Sequence, residues 1–307
     1  AGATLEDTAR LLWDCGSQDP FADPPGDWPR PVAALAGDAS LPPVTRAMAA
    51  IPLLAAQVPH SFQADAPTRR AVAATLLRQN AALLVARRPA GPVHRLLADA
   101  WRPGDGAFAE LVRAALVLCA DHELNVSAFA ARVVASTGAH LHATACAGLA
   151  ALSGPRHGGA TARAYALIEQ VRQAPDPAGF VAARWRRGED LPGFGHALYP
   201  EGDPRAAELL AMLRAAPVPA ATLAELETVI AAAASVSGRR PNVDFMLASI
   251  CLAHGLPPAP ALSLFAAGRL AGWLAHALEQ QALGRLIRPR ARYTGLQPEA
   301  DAAAAHD

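Results

Sequence analysis

Apolar residues recur at helical spacing along this chain, and this pattern constrains its fold more than any other feature. Hydrophobic residues make up 52% of the 307 positions, but alanine and leucine dominate them and aromatics reach only 5%. Valine and isoleucine are scattered, and we find no clean alternation of apolar and polar residues such as a half-buried strand shows. The sequence therefore predicts an all-α protein with a core large enough for one big domain or two smaller ones.

Prolines, glycines and capping residues divide the chain into candidate helices. Asp203-Pro204, for example, is typical of an N-cap followed by proline at the first helical position. Outside its first helix, the segment 1–60 is rich in Pro, Gly and Asp and is expected to be irregular. We expect helices at 5–14, 67–87, 108–121, 127–152, 160–173, 180–187, 205–215, 222–235, 241–253 and 260–283.

The middle of the chain differs from its flanks, because loops and short helices replace the long apolar helices there. This shift predicts a smaller domain at 158–255, inserted into a large helical domain made of 1–157 and 256–307. The most apolar segment, 259–283, contains Arg269, His276 and Glu279, so we interpret it as a buried helix and not as a membrane span.

Charge and cysteine usage narrow the function classes. The 27 basic residues, all arginine, balance 27 acidic ones, which argues against nucleic acid or an anionic membrane as a partner. Without a lysine, a Schiff-base mechanism is excluded. The cysteines are far apart, which argues against a metal site or a disulfide framework. No signal peptide is recognised, and we expect a cytoplasmic protein in a reducing compartment. The four cysteines are Cys15, Cys119, Cys146 and Cys251.

Four motifs place chemically active side chains next to small residues or at helix starts. Histidines, a carboxylate and arginines in such positions suit proton abstraction beside an anionic carbonyl compound. Each motif alone has a plainer interpretation, since an aspartate in a first helical turn is often only a helix-dipole partner and a turn histidine often only a cap. The motifs are Ser153-Gly154-Pro155-Arg156-His157-Gly158-Gly159, Gly193-Phe194-Gly195-His196, Pro241-Asn242-Val243-Asp244, and Gly268-Arg269 with Arg288-Pro289-Arg290.

These motifs, in this order, resemble the citrate synthase family, and the resemblance runs from about Leu5 to Gly295. It implies a large helical domain with a small inserted one, an active site in the cleft between them, and a homodimer. It also implies an acyltransferase that condenses acetyl-CoA with oxaloacetate to citrate and CoA. No metal or redox cofactor is implied, because the coenzyme A thioester is itself a substrate. The N-terminal segment usual in the family is missing or divergent here.

The resemblance implies three catalytic residues. Asp244 would be the base that removes the α-proton of the acyl group. His157, just before a helix start that disfavours imidazolium, would be a neutral donor to the thioester oxygen as the enol forms. His196 would polarise the carbonyl of oxaloacetate.

Binding residues follow from the same resemblance. A dicarboxylate calls for arginines, which bind carboxylates in a bidentate way. Oxaloacetate would be held by His122, Arg205, Arg269 and Arg288, the last reaching into the neighbouring subunit's site. The residues implied for coenzyme A are Leu191, Gly193, Phe194 and Gly195.

The chain also departs from the family pattern. Arg156 stands where leucine is usual, Thr161 where asparagine is usual, and Pro200 where a cation commonly meets a coenzyme A phosphate. Two alternatives therefore stay open at this stage. One is a 2-methylcitrate synthase that uses propionyl-CoA, with the shape around Asp244 and Met246 deciding the acyl group. The other is a non-catalytic, dicarboxylate-binding regulatory protein.

Overall fold

The computed structural model describes residues 2–56, 58 and 65–295. Fourteen helices lie in this part of the chain. The β-pairing among these residues is one isolated antiparallel bridge, between Phe194 and Pro241. The all-α prediction is confirmed. The helices are α1 (Leu5–Leu12), α2 (Arg30–Gly37), α3 (Pro43–Ala55), α4 (Ala66–Leu84), α5 (Val93–Trp101), α6 (Gly106–Cys119), α7 (Val126–Ser136), α8 (Leu141–Leu152), α9 (Gly159–Gln173), α10 (Pro177–Arg186), α11 (Pro204–Ala215), α12 (Ala220–Ser237), α13 (Val243–Ala253) and α14 (Ala259–Leu283).

Capping residues explain why most helices begin where the sequence indicates. Thr4 and Asp7 form a reciprocal capping box at the start of α1. Asp203 caps α11 with Pro204 at the first helical position, as predicted. Asn242 caps α13 by accepting hydrogen bonds from the next two free backbone N–H groups, those of Asp244 and Phe245.

The prediction of an irregular segment after the first helix is confirmed for residues 15–29 and is wrong beyond them. Helices α2 and α3 lie there, and α3 buries Ala47, Ile51 and Leu54 in the core. Pro31 and Pro43 stand in the first turns of α2 and α3, where the missing N–H costs nothing, and so they help to start these helices instead of breaking them. Helix α5, which follows Pro92, was missed for the same reason.

The single helix predicted over 127–152 is divided into α7 and α8. Gly138 lies between them at φ +80°, a left-handed conformation that ends α7. The His140 side chain then caps α8, its Nδ1 accepting from the backbone N–H of Ala143 at 3.1 Å. A histidine cap inside an apolar stretch is a weak sequence signal. The helical spacing of apolar residues continues through 137–140, and it therefore predicted one helix where there are two.

Helix α14 is the central helix of the fold and packs against α1, α3, α4, α6, α7, α8, α9 and α13. Arg269 and Trp273, near its middle, are both fully buried. Gly268 and Gly272 let the end of α6 lie directly on it, because a Cβ on them would come within 2.7 Å of the Leu116 oxygen and 2.4 Å of the Ala120 oxygen. The turn after α6 is thereby held against Arg269.

The segment predicted as the small domain forms α9 to α13, which pack on one another: α9 on α10, α12 and α13, α10 on α12, and α11 on α13. The domain boundaries themselves stay a prediction. Two described helices, α12 and α14, are long and apolar enough to span a membrane by length and composition. The most apolar window of α14 is 78% buried, as expected of a core helix, whereas that of α12 is 22% buried and owes its hydropathy largely to alanine.

Candidate active site

A cavity of about 330 Å³ lies where the α6–α7 turn, the start of α9, the loop before α11 and the start of α13 meet α14. It collects six of the predicted site residues, although they are distributed over nearly 150 positions of sequence. The cavity is lined by His122, Glu123, Asn125, His157, Gly158, His196, Ala197, Leu198, Arg205, Val243, Asp244, Phe265 and Arg269.

Asp244 lies in the first turn of α13, and the cavity reaches its carboxylate. Burial raises the pKa of this carboxyl to about 6, against the lowering effect of Arg205, while the nearby Asp203 charge adds to the rise. A carboxylate with a pKa in this range is a stronger base than an ordinary one and is still ionised at neutral pH. Asp244 thus combines access to the cavity with the properties of a general base.

His157 lies in the turn before α9, as predicted, with its Nε2 2.7 Å from the hydroxyl oxygen of Ser127. Trp273 donates its indole N–H to the same oxygen at 3.2 Å. Burial, aided by the charge of Arg269, lowers the pKa of His157, so its imidazole is neutral at pH 7. Ser127 Oγ also lies 2.9 Å from Oδ1 of Asn125, so its single hydroxyl proton can go to either acceptor. When the hydroxyl donates to Nε2 of His157, the remaining ring proton is on Nδ1, and the ring becomes a hydrogen-bond donor at that nitrogen.

His196 is held in one tautomer by its own loop. Its Nδ1 accepts from the backbone N–H of Leu198 at 3.1 Å, so the proton of a neutral ring is on Nε2. Burial and the charge of Arg205 lower the pKa of His196. Nε2 lies 3.5 Å from Nη2 of Arg205, at the limit of hydrogen bonding, and both atoms are donors. Two donors in such proximity are suited to an anionic or carbonyl oxygen between them.

Arg205, at the start of α11, has a fully buried carboxylate partner. Asp203 accepts from its Nε at 2.9 Å and from its Nη2 at 2.8 Å, and also from the backbone N–H of Val243 at 3.0 Å. Burial by itself would raise the pKa of Asp203, but the hydrogen bonds and charge of Arg205 outweigh it and lower that pKa. One carboxylate thus positions Arg205 and the helix start that carries Asp244.

Arg269 has no such partner. It is 0% exposed, and its Nε donates to the Cys119 oxygen at 2.8 Å, but neither Nη1 nor Nη2 has a hydrogen-bond partner among the described residues. Burial lowers the pKa of Arg269, since the protein offers this guanidinium little compensation for lost water. Its position in the cavity wall makes it a site for an anion.

His122 follows α6 and lies close to His196, with ring centroids 5.3 Å apart. Burial, followed by the charges of Arg205 and of neighbouring groups, lowers the pKa of His122. A neutral imidazole beside two guanidiniums completes the polar wall of the cavity. Its role as an oxaloacetate ligand stays a prediction at this point.

The other predicted site residues lie outside this cavity. Arg288 is exposed in the irregular chain after α14. Leu191 and Phe194 are buried. Gly193 and Gly195, at φ +86° and +82°, fit the His196 loop against α13, where a Cβ on Gly193 would lie 2.9 Å from Cβ of Phe245. Phe194 and Gly195 line a neighbouring pocket of about 540 Å³, so their coenzyme A role stays a prediction.

The structure shows where several residues that depart from the family pattern, or that were expected to shape the acyl pocket, lie. Arg156 is exposed and does not contribute to the pKa of His157, whose neighbouring charge is Arg269. Thr161 is buried and donates its hydroxyl to the Gly158 oxygen at 3.0 Å, within the first turn of α9. Met246 is fully buried in the core and does not line the cavity, so it does not shape an acyl pocket there.

Gly158 lines the cavity, and the packing around it leaves no room for a side chain. A Cβ there would lie 2.3 Å from the backbone oxygen of Leu152 and 2.7 Å from a methyl group of Leu262. Gly158 is therefore required by the packing of the α8–α9 turn.

Sequence reasoning missed Ser127 and Asp203 as functional residues. Asp203 was recognised as a helix cap, and its proximity to Arg205 was visible in the sequence, but its hydrogen bond to Val243 depends on the fold. Ser127 reaches His157 across 30 positions, and no local pattern announces that contact.

Comparisons with known proteins give the family. The family described as citrate synthase, C-terminal domain, matches residues 32–290. The citrate synthase of Haloferax volcanii is 41% identical over 192 residues, 61% of this chain and 51% of that protein. The 2-methylcitrate synthase of Shewanella oneidensis is 34% identical over 186 residues, 60% of this chain and 50% of that protein. The chain thus spans about half the length of the curated relatives it matches.

A solved structure covers far more of the chain. The citrate synthase of Thermoplasma acidophilum, in a ternary complex with carboxymethyl coenzyme A and oxaloacetate, superposes with a TM-score of 0.73 and 25% identity over 97% of this chain and 87% of that one. The motifs, the helical fold, the cavity in which six predicted residues meet and the match over most of the sequence agree. The chain belongs to the citrate synthase family.

Proposed function

We propose that the protein condenses an acyl-CoA thioester with oxaloacetate, forming a new carbon–carbon bond and releasing free coenzyme A. The observation that carries this proposal is the buried guanidinium of Arg269, whose two Nη atoms have no partner among the described residues, in the same cavity as the basic carboxylate of Asp244. The first feature calls for an anionic substrate and the second for a proton to remove. Relatives named citrate synthase and 2-methylcitrate synthase support the same chemistry.

The reaction begins with proton abstraction. Asp244 takes a proton from the carbon next to the thioester carbonyl, and the electron pair moves onto the thioester oxygen. His157, with its proton on Nδ1 when Ser127 donates to Nε2, stabilises that oxygen with a hydrogen bond. Because the ring is neutral, it stabilises the oxygen of the enolate by this hydrogen bond and keeps its own proton.

The new bond then forms at the oxaloacetate carbonyl. The enolate carbon attacks this carbonyl carbon while His196 donates an Nε2–H hydrogen bond to its oxygen, and the proton held by Asp244 returns to this oxygen, which becomes a hydroxyl group. Arg205 and Arg269 hold the two carboxylates, and His122 is an additional donor. Water then hydrolyses the thioester, giving the tricarboxylate and coenzyme A. We infer that closure of the two predicted domains excludes other water during the first two steps.

The acyl group is the finer part of the proposal, with acetyl-CoA as the preferred substrate and propionyl-CoA as the alternative. The apolar lining near Asp244 comes from Val243, Phe265 and Leu198. One methylene in such a lining changes binding by only about 1–3 kcal/mol. We therefore expect this protein to accept both acetyl-CoA and propionyl-CoA, with different activities.

A homodimer completes the site in this proposal. Arg288 lies in an exposed, irregular segment and does not line the cavity of its own subunit. Large apolar side chains are exposed on α7 and after α14, where a partner would cover them; they are Val126, Phe129, Leu283, Leu286 and Tyr293. Mixing the inactive variants Asp244→Asn and Arg288→Ala should restore part of the activity, because one site of each mixed dimer has both intact residues. Retention of full activity by a monomer would contradict the dimer.

The four cysteines are free thiols, three of them buried, and this supports our proposal of a reducing, cytoplasmic location. A localisation experiment with a fluorescent fusion would test it. Enrichment of the fusion outside the cytoplasm would contradict it.

The experiment that tests the proposed function is a thiol-release assay with oxaloacetate and a series of acyl-CoA thioesters. We expect release of coenzyme A with acetyl-CoA, less with propionyl-CoA, and none without oxaloacetate. The Asp244→Asn variant should lose turnover by several orders of magnitude and still bind oxaloacetate. If oxaloacetate binds but no thioester is consumed by the wild type, the regulatory protein considered from the sequence replaces the enzyme.

A further inference from the structure

Tyr199 occupies a position that the proposed mechanism does not use. It lies three residues after His196 in the loop before α11, and its backbone N–H donates to the His196 oxygen at 3.2 Å. Its hydroxyl oxygen lies 2.8 Å from Nε2 of His122. His122 belongs to the α6–α7 turn, so this hydrogen bond joins the two predicted domains beside the cavity.

The three aromatic rings form one cluster. Ring centroids are 5.4 Å apart for His122 and Tyr199, 5.0 Å for His196 and Tyr199, and 5.3 Å for the two histidines. Both histidines line the cavity, whereas Tyr199 lines the neighbouring pocket and not the cavity itself. Tyr199 can therefore influence a bound substrate only through its neighbours.

The hydrogen bond to Tyr199 determines which ring nitrogen of His122 remains available to bind a ligand. With Nε2 bonded to the phenol, Nδ1 is the ring nitrogen without a hydrogen-bond partner among the described residues. Burial and adjacent arginines keep this ring neutral, so it has a single proton. If Tyr199 donates to Nε2, that proton is on Nδ1, and His122 can donate to a carboxylate. If Tyr199 accepts, Nδ1 has a lone pair that repels one.

We propose that Tyr199 is a positioning residue that donates to Nε2 of His122, fixes the Nδ1–H tautomer and thereby sets the affinity of the cavity for its dicarboxylate. This inference rests on the proposed function for the identity of the ligand, oxaloacetate. The tautomer is a property of the unliganded protein and can be measured without any substrate.

Tyr199→Phe removes the hydroxyl and keeps the ring that packs on both histidines. The matched control is Tyr165→Phe, which removes a phenol of similar burial that donates to the Leu256 oxygen at 2.9 Å, in α9 and outside the cavity lining. Because one hydrogen bond is lost, we expect Tyr199→Phe to weaken oxaloacetate binding by up to about tenfold, measured by calorimetry. The kcat should change by less than about twofold, the signature of a lost binding interaction. The control should bind oxaloacetate like the wild type.

Ring-nitrogen NMR of ¹⁵N-histidine-labelled protein gives the second readout. We expect His122 of the wild type to be protonated on Nδ1 at neutral pH and the Tyr199→Phe variant to shift toward the other tautomer. Protonation on Nε2 in the wild type overturns the proposal, as does unchanged affinity in Tyr199→Phe or an equal loss in Tyr165→Phe. If the wild type does not bind oxaloacetate, the proposed function fails, and the tautomer measurement still decides the role of Tyr199.

Discussion

Two buried arginines that line the same cavity differ in how the protein compensates their charge. Arg205 is paired with the fully buried Asp203 through two hydrogen bonds, so its pKa rises although burial alone would lower it. Arg269 is 0% exposed, has one backbone carbonyl as its acceptor and has a lowered pKa. Both belong to motifs found in the sequence, but only one of them has a carboxylate partner among the described residues.

The difference separates structural stabilisation from binding. A paired guanidinium is held in place before any ligand arrives, and Asp203 extends this order to the helix start below Asp244. An unpaired buried guanidinium destabilises the unliganded protein, and an arriving carboxylate relieves that cost. We therefore expect the Arg205 side to govern the integrity of the site and the Arg269 side to govern ligand affinity.

The same substitution at the two arginines should have opposite effects on stability. Arg205→Met leaves the carboxylate of Asp203 buried without its ion pair, and breaking a buried pair in this way costs about 3–5 kcal/mol. Arg269→Met removes a buried charge that has no carboxylate partner and is compensated only by the Cys119 oxygen and the ring face of Phe265, so the free energy of unfolding should stay the same or rise. Urea denaturation of both variants without ligand measures this.

An equal loss of stability in the two variants would contradict the claim that only Arg205 stabilises the unliganded protein. The double variant Asp203→Asn, Arg205→Met is the control, because an uncharged amide next to methionine restores much of what Arg205→Met loses. Failure of this second change to recover stability would indicate that Arg205 contributes mainly through packing.

Asp244, which lines the same cavity, gives a smaller and pH-dependent effect on stability. Its pKa in the folded protein is about 6, against an ordinary 3.8, so the ionised form is disfavoured by folding. The stability cost is absent below pH 4, grows as pH rises from 4 to 6, and is complete above 6. At 1.36 kcal/mol per pKa unit it reaches about 3 kcal/mol.

Asp244→Asn removes this cost. The variant should be more stable than the wild type above pH 6, by up to about 3 kcal/mol, and the difference should disappear near pH 4. Thermal unfolding across this pH range measures it. A difference that is constant with pH would show that Asp244 has an ordinary pKa in the folded protein.

The sequence predicted the fold class and most of the cavity because both depend on local patterns. Helix starts at Asp203-Pro204 and Asn242 are visible in short motifs, and the family resemblance of the motifs implied Asp244, His157 and His196 as site residues. Residues that act across the fold were missed: Ser127, Tyr199 and the second partner of Asp203 lie far from the groups they contact. Such contacts depend on how α6, α7 and α14 pack, which no single segment specifies.

The prolines after the first helix illustrate the opposite failure. A high density of proline is typical of irregular chain, but at the first turn of a helix the same residue is favoured. Which interpretation holds for α2 and α3 depends on whether the apolar residues that follow find a core, and Ile51 and Leu54 do.

We expect the smallest effect from Ser127→Ala, which changes the hydrogen bonding of His157 and therefore kcat. The variant loses the hydroxyl that lies 2.7 Å from Nε2 of His157 and leaves the indole N–H of Trp273 without its acceptor. Each lost hydrogen bond is worth about 1 kcal/mol, so we expect kcat to fall about tenfold and the oxaloacetate affinity to stay the same. Ser263→Ala, in α14 and outside the cavity, is the control. Weakened oxaloacetate binding in Ser127→Ala would show that the two sides of the cavity are not separable.

Calorimetric titration of oxaloacetate into the wild type and into Arg269→Met tests most directly whether the unpaired guanidinium is the anion site. We expect the folded, equally stable variant to lose at least about a hundredfold in affinity for oxaloacetate, because two charge-assisted hydrogen bonds are worth about 3 kcal/mol or more. Binding of oxaloacetate to Arg269→Met with the affinity of the wild type would show that Arg269 is not the anion site.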